Sequence, residues 1–184
     1  REQGKYSGLN VPLRRQSRMC RRESMNIYPL NRGFFVNQHV SEGLQDGSSW
    51  ANAYFSLQDA LAEATEGDYV WVARGEYVAG KNASFFIDNN EIEIYGGFDG
   101  TEKSLCERDF SANPTMLNGA GRSVIVNSKV SDVRWDGFTI KEGTATRGGG
   151  VFNDQSSVII ANCIIRGNEA KEGGGIYSVA GYPV

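Results

Sequence analysis

The chain has 184 residues with 23 glycines against 4 prolines, long enough for one domain with a real core and suited to a fold of many tight bends. Net charge is −3, but residues 1 to 32 hold eight Lys/Arg and two acids, which leaves 11 basic against 20 acidic residues, or −9, in the other 152. That acidic body argues against nucleic acid as a partner, no run of 18 apolar residues predicts a membrane span, and Cys20, Cys106 and Cys163 lack metal-ligand spacing and leave at least one thiol unpaired.

Residues 1 to 32 show no sustained periodicity. Their basic run, Arg14-Arg15-Gln16-Ser17-Arg18-Met19-Cys20-Arg21-Arg22, has no interleaved aromatics and reads as a linker or extension. Residues 33 to 67 are expected to form an N-terminal cap. Phe34 and Val36 open it, and His39, the only histidine, has no Ser or Cys nucleophile motif near it and reads as a turn or strand-edge residue. Asp46-Gly47-Ser48-Ser49 marks a turn. Over 53–65, Tyr54, Leu57, Leu61 and Ala64 recur every three or four residues and Gly67 ends the pattern, which predicts a helix. Stacked repeats expose an apolar interior at their first layer, so this amphipathic helix is assigned as the plug over it, with Trp50 packed beneath. The sharper alternative for Trp50 is a ring that stacks on carbohydrate.

From residue 68 onward strands take over. Val70 and Val72 face one way, and Ile92 and Ile94 repeat them one coil length later. Tyr95-Gly96-Gly97-Phe98 reads as a corner and 99–113 as a polar loop leaving the body. Met116-Leu117 and Val124-Ile125-Val126 lead into a segment that says nearly the same thing twice. One constant offset places Trp135 on Ile160, Phe138 on Cys163, Ile140 on Ile165 and Lys141 on Arg166. Farther on, Ala145 falls on Ala170, Arg147 on Glu172, Gly148-Gly149-Gly150 on Gly173-Gly174-Gly175, and Val151-Phe152 on Ile176-Tyr177. Apolar residues alternate with period two around Phe138 and Ile140 and around Cys163 and Ile165, the signature of strand. The glycine triplets fall where the chain must bend sharply. Neither copy holds the helix-periodic residues of a helical repeat. A strand, a bend, a short strand and another bend at this length describe one coil of a parallel β-helix, so the fold class is all-β, residues 68 to 184 being its first coils.

Two stretches carry a family resemblance. Asn162-Cys163-Ile164-Ile165-Arg166-Gly167-Asn168, followed by Gly173-Gly174-Gly175-Ile176-Tyr177, resembles the paired motifs of polymorphic outer-membrane adhesins and related bacterial right-handed β-helix proteins. Ile165 stands where that family usually has Phe, Asn168 is its Asn, and Gly143 takes the Asn position in the first copy. Gly47-Ser48-Ser49-Trp50-Ala51-Asn52-Ala53, Leu57-Gln58-Asp59-Ala60-Leu61, the run from Gly67 to Tyr77, and Tyr95-Gly96-Gly97-Phe98-Asp99-Gly100-Thr101-Glu102 followed by Arg108-Asp109 are similar to the opening region of large secreted β-helix proteins common in Bacteroidota-like bacteria. The resemblance covers about residues 33 to 177. It implies a right-handed, pectin-lyase-like fold and an extracellular or bacterial cell-surface location, and it specifies fold far better than function.

In such a stack, equivalent residues lie about 4.8 Å apart. Arg147 is then expected over Glu172, an exposed pair, and Lys141 over Arg166, a repulsive pair unless an anion lies between them. Lys141 and Arg166 are therefore the candidate ligand residues, for an acidic sugar. Cys163 reads as a small core residue. A lyase would need clustered carboxylates for Ca²⁺, whereas Asp132, Asp136, Glu142 and Asp154 are spread along the repeat, and Ser157 and Ala161 stand one coil beyond the first two. The glycine triplets lack the Lys-Ser/Thr of a phosphate loop. No metal or cofactor is predicted. The leading reading is a noncatalytic, adhesin-like or structural module that presents a surface to polysaccharide or host. The alternative is the N-terminal part of a polysaccharide lyase or glycoside hydrolase whose catalytic coils lie beyond residue 184. Since no closing cap is visible near Tyr182-Pro183-Val184, the natural chain is expected to continue, or another copy to cover the last coil by self-association.

Overall fold

A computed structural model describes residues 32–180. The basic run, Cys20 and the Tyr182-Pro183-Val184 end lie outside the described residues. The protein is predominantly β, with fifteen strands among the described residues, and every strand pairing is parallel.

Three sheets dominate. The first joins β1 (Gly33–Val36), β2 (Tyr69–Ala73), β5 (Glu93–Phe98), β8 (Val133–Asp136) and β12 (Val158–Ala161) in that order. The second joins β3 (Gly75–Val78), β6 (Thr115–Asn118), β9 (Phe138–Lys141) and β13 (Ile164–Arg166). The third joins β4 (Phe85–Ile87), β7 (Ile125–Ser128), β11 (Val151–Asp154) and β15 (Ile176–Val179). A short fourth sheet pairs β10 (Thr144–Arg147) with β14 (Glu169–Glu172). From β2 onward the chain therefore visits first, second and third sheet in the same sequence four times.

Alternation fixes what faces inward. Phe34, Val70, Ile94, Trp135 and Ile160 are register partners along the first sheet. Tyr77, Leu117, Ile140 and Ile165 line up along the second, and Phe85, Ile125, Val151 and Ile176 along the third. Most are fully buried in one core cluster. In the fourth round Val158, Ile160, Cys163 and Ile165 are only partly covered, and Ile176 is 44% exposed. Val70 pairs with Ile94, not with the Ile92 that the sequence pattern matched to it. Burial raises the thiol pKa of Cys163, whose Sγ lies 3.6 Å from the Trp135 carbonyl. That thiol is free, whereas Cys106 is disulfide-bonded.

The constant offset of the two copies reappears residue for residue. Trp135 pairs with Ile160, Lys141 with Arg166, Arg147 with Glu172 and Phe152 with Tyr177. Backbone bonds run through both glycine triplets, from the amides of Gly148, Gly149, Gly150 and Val151 to the carbonyls of Glu172, Gly173, Gly174 and Gly175. Only the first glycine of each triplet, Gly148 or Gly173, has positive φ. The next ones serve close approach: a Cβ on Gly149 would stand 2.7 Å from the Gly174 oxygen, and one on Gly150 would stand 2.5 Å from that of Gly175. Asn168 works at the neighbouring corner, accepting from the Gly143 amide at 2.8 Å and donating to the Ile140 carbonyl at 3.0 Å. Gly143 replaces Asn one round earlier because any Cβ there would overlap the Gly149 oxygen.

The predicted helix over 53–65 is shorter. Residues Trp50–Asn52 form a 3₁₀ turn, and Tyr54 bonds to the backbone of Phe35 and Asn37 as an extension of the first sheet. The helix α1 runs Leu57–Glu63, because Ser56 caps it by accepting from the Asp59 amide. It buries Leu57, Ala60 and Leu61 over β1, β2 and β4. Gln58 clamps the free edge of β4 with two bonds to the Phe86 backbone. Trp50 is not beneath this helix. It lies on the outer face of the first sheet, its ring 4.8 Å from Phe35 and 5.5 Å from Phe98, with Nε1 donating to the Glu102 carbonyl at 2.8 Å.

Residues 95 to 113 depart from the sequence pattern in two respects. Tyr95 to Phe98 is strand with a bulge opposite Val72 and Ala73, not a corner. The segment after it does not leave the body. Glu102 folds back so that its carboxylate accepts from the amides of Asp99, Gly100 and Thr101. Leu105 joins Trp71, Tyr95 and Phe98 in a second apolar cluster.

Candidate functional site

The outer face of the second sheet gathers charged groups that lie far apart in sequence. Alternation along β3, β6, β9 and β13 turns Tyr77, Leu117, Ile140 and Ile165 inward, so Glu76, Asn118, Lys141 and Arg166 point out. Asn118, Lys141 and Arg166 are successive register partners. Glu142 follows β9 with φ of 58°.

Lys141 Nζ lies 3.0 Å from Glu76 Oε1 and 3.1 Å from Glu142 Oε1. Asn118 Nδ2 bridges the same pair, donating to Glu76 Oε1 at 2.6 Å and to Glu142 Oε2 at 2.8 Å. Its Oδ1 accepts from the Ala120 amide, which fixes the amide's orientation. Above this network, Lys141, Glu142, Arg166 and Gly167 line a shallow depression of about 390 Å³. Among the described residues the Arg166 guanidinium has no ion-pair partner.

Lys141 and Asn118 each bridge the two carboxylates, so the pair invites comparison with the two carboxyl groups of a glycosidase. Their protonation opposes that chemistry. The Asn118 side chain and then Lys141 lower the Glu76 pKa, and Lys141 followed by Asn118 lowers that of Glu142. Glu76 and then Glu142 raise the pKa of Lys141. A general acid carboxyl needs the opposite shift, as does a lysine base. At neutral pH the cluster is thus two carboxylates and an ammonium, offering both hydrogen-bond acceptors and donors.

Of the residues singled out in the sequence, Lys141 and Arg166 do come together here. Lys141, however, is already engaged by two carboxylates. Trp50 lies on a different sheet with its indole nitrogen in use. Phe138, Ile140, Cys163 and Ile165 belong to the core or pack against it, and Asn168 and the two glycine triplets build corners. Among the described residues no group of three or more His, Cys, Asp or Glu side chains is placed to hold a metal ion, and no helix is long and apolar enough to cross a membrane.

Sequence reasoning missed Glu76, Asn118 and the part played by Glu142. Along the second sheet Glu76 pairs with Met116, Met116 with Thr139, and Thr139 with Ile164. The first of these steps is far longer than the other two, and only the last matches the offset visible in the repeat. Residues 99 to 113 lengthen the first step and hide its register. Comparison with family models, curated proteins and solved structures returned no match.

Proposed function

We propose that the chain is a right-handed parallel β-helix, and that it serves as a noncatalytic extracellular or surface-displayed module that binds glycan. Four rounds through the same three sheets, all parallel, support the β-helix reading. The handedness follows the general preference of parallel crossovers. The disulfide at Cys106 fits an oxidising compartment.

The observation that carries the binding reading is the second sheet's outer face. Lys141 and Arg166 from two adjacent strands and Glu142 and Gly167 from the corners after them line a depression, and Glu76 and Asn118 on the two strands before them hold Lys141 and Glu142 in place as ions. Such a surface can exchange hydrogen bonds with hydroxyl groups without performing acid–base chemistry on them. Affinity electrophoresis through gels loaded with bacterial and plant polysaccharides tests the reading. Retarded migration with no new reducing ends and no unsaturated uronate is expected. Steady release of either product would replace the reading with a hydrolase or a lyase.

A further inference from the structure

The depression beside Lys141 and Arg166 bears on which class of sugar is bound, and this step rests on the glycan-binding reading above. We infer that the site takes uncharged sugar rings, not the acidic sugar that two stacked cations suggest at first sight. Glu76 and Glu142 set two negative charges against the two positive charges of Lys141 and Arg166, so the cluster sums to zero. Lys141 is engaged by both carboxylates. An incoming carboxylate or sulfate finds only Arg166 to pair with, and it meets Glu142 on the same rim. The chain as a whole carries a net charge of −3, so its overall field gives a polyanion no attraction to offset that contact.

A neutral ring meets no such opposition. Arg166 presents a fork of N–H donors, and the Glu142 carboxylate has lone pairs beyond those that Lys141 and Asn118 occupy. A vicinal diol can donate to one and accept from the other. Ile164 points out of the same strand two residues before Arg166 and is 59% exposed, an apolar contact for the C–H face of a ring. At Gly167 an added Cβ would meet nothing within 4 Å, so the missing side chain leaves the rim open.

Calorimetry of the purified protein with neutral hexasaccharides of glucose, mannose and galactose, against oligogalacturonate and a sulfated oligosaccharide, decides the matter. At least one neutral series is expected to bind. Its affinity should hold between about 50 and 500 mM NaCl and fall about tenfold or more in both Arg166→Ala and Glu142→Gln. Both positions are exposed, and unchanged melting curves would show that the variants fold. Preferential binding of the acidic probes, weakening with salt, would overturn the inference and leave the glycan-binding reading standing. Silence of both classes would remove both. Neutral binding untouched by either substitution would place the sugar elsewhere and overturn the site.

Discussion

The outer faces of the first and second sheets each carry a cluster of opposite charges, and the two clusters do different things. On the first sheet Arg108 Nη2 donates to Asp136 Oδ1 at 2.8 Å, with only 3% and 1% of the two side chains exposed. Asn162 donates to the same oxygen at 2.8 Å, and Arg134 stands 3.5 Å from the other. Arg108 also bonds the Gly96 carbonyl and lies 5.1 Å over the Tyr95 ring. It thereby pins residues 99 to 113 across the sheet. On the second sheet Lys141 and Glu76 make an ion pair of similar length, but 16% and 39% of those side chains reach solvent. The strands beneath are alike; the covering segment converts one cluster into a strut and leaves the other open to solvent.

Breaking the strut should have the largest effect. Asp136→Ala removes the buried carboxylate that Arg108 and Asn162 share, and loss of one partner of such a pair costs about 3 to 5 kcal/mol. Urea unfolding should show that loss in the midpoint, whereas Glu76→Ala on the open face should barely move it. Replacing both partners, as Arg108→Met with Asp136→Leu, should recover much of the deficit, because two apolar groups need no desolvated charge. Equal losses at Asp136 and Glu76 would mean that burial does not separate the two faces. Trp135→Ala tests the core that both sheets share. Its indole is fully buried and donates to Asn127 Oδ1 at 3.2 Å, so about 3 to 5 kcal/mol should be lost.

Two glycines sharpen the contrast at smaller scale. Gly143→Ala forces a methyl against the Gly149 carbonyl, and overpacking of this kind costs about 1 to 3 kcal/mol. Gly167→Ala meets no atom, so only its φ of 62° opposes the change, at about 1 kcal/mol. Thermal melts of the two variants should differ in that order. The reverse order would show that strand layers tolerate an added methyl better than the open corner tolerates strain.

What the sequence makes legible follows from this geometry. Where successive layers are joined by connections of constant length, register can be read off directly, and every stacked pair from Trp135–Ile160 to Phe152–Tyr177 was visible in the chain. Where a covering segment intervenes, the step from β3 to β6 lengthens, and Glu76 and Asn118 lose their visible relation to Lys141. The interior row in which Asn127 donates to Asn153 and Asn153 to Ser178 escaped notice for another reason. Polar residues at inward positions look like errors in an alternating pattern until their partners one layer away are known. Tyr54 misled in the opposite direction: its helical spacing with Leu57 and Leu61 is real, but the pairing with Val36 claims its backbone for a strand edge.

The smallest predicted effect is the pH response of the open face. Glu76 and Glu142 have folded pKa values lowered from 4.5, so their contribution to stability is complete above about that pH and fades as pH falls through the lowered values. Lys141 is raised from 10.5, so its contribution is complete below that value and fades as pH climbs past it. Melting temperature should therefore be flat across the neutral range, with a shallow decline on each side from this cluster. Lys141→Ala should reduce both declines while leaving the neutral value nearly unchanged, because exposed pairs contribute little. About 0.5 M NaCl should flatten the wild-type declines in the same way, since solvent ions reach the second sheet's face. The difference between Asp136→Ala and wild type should persist at that salt, because solvent does not reach the strut. A salt response shared by both clusters would mean that residues 99 to 113 do not shield what they cover.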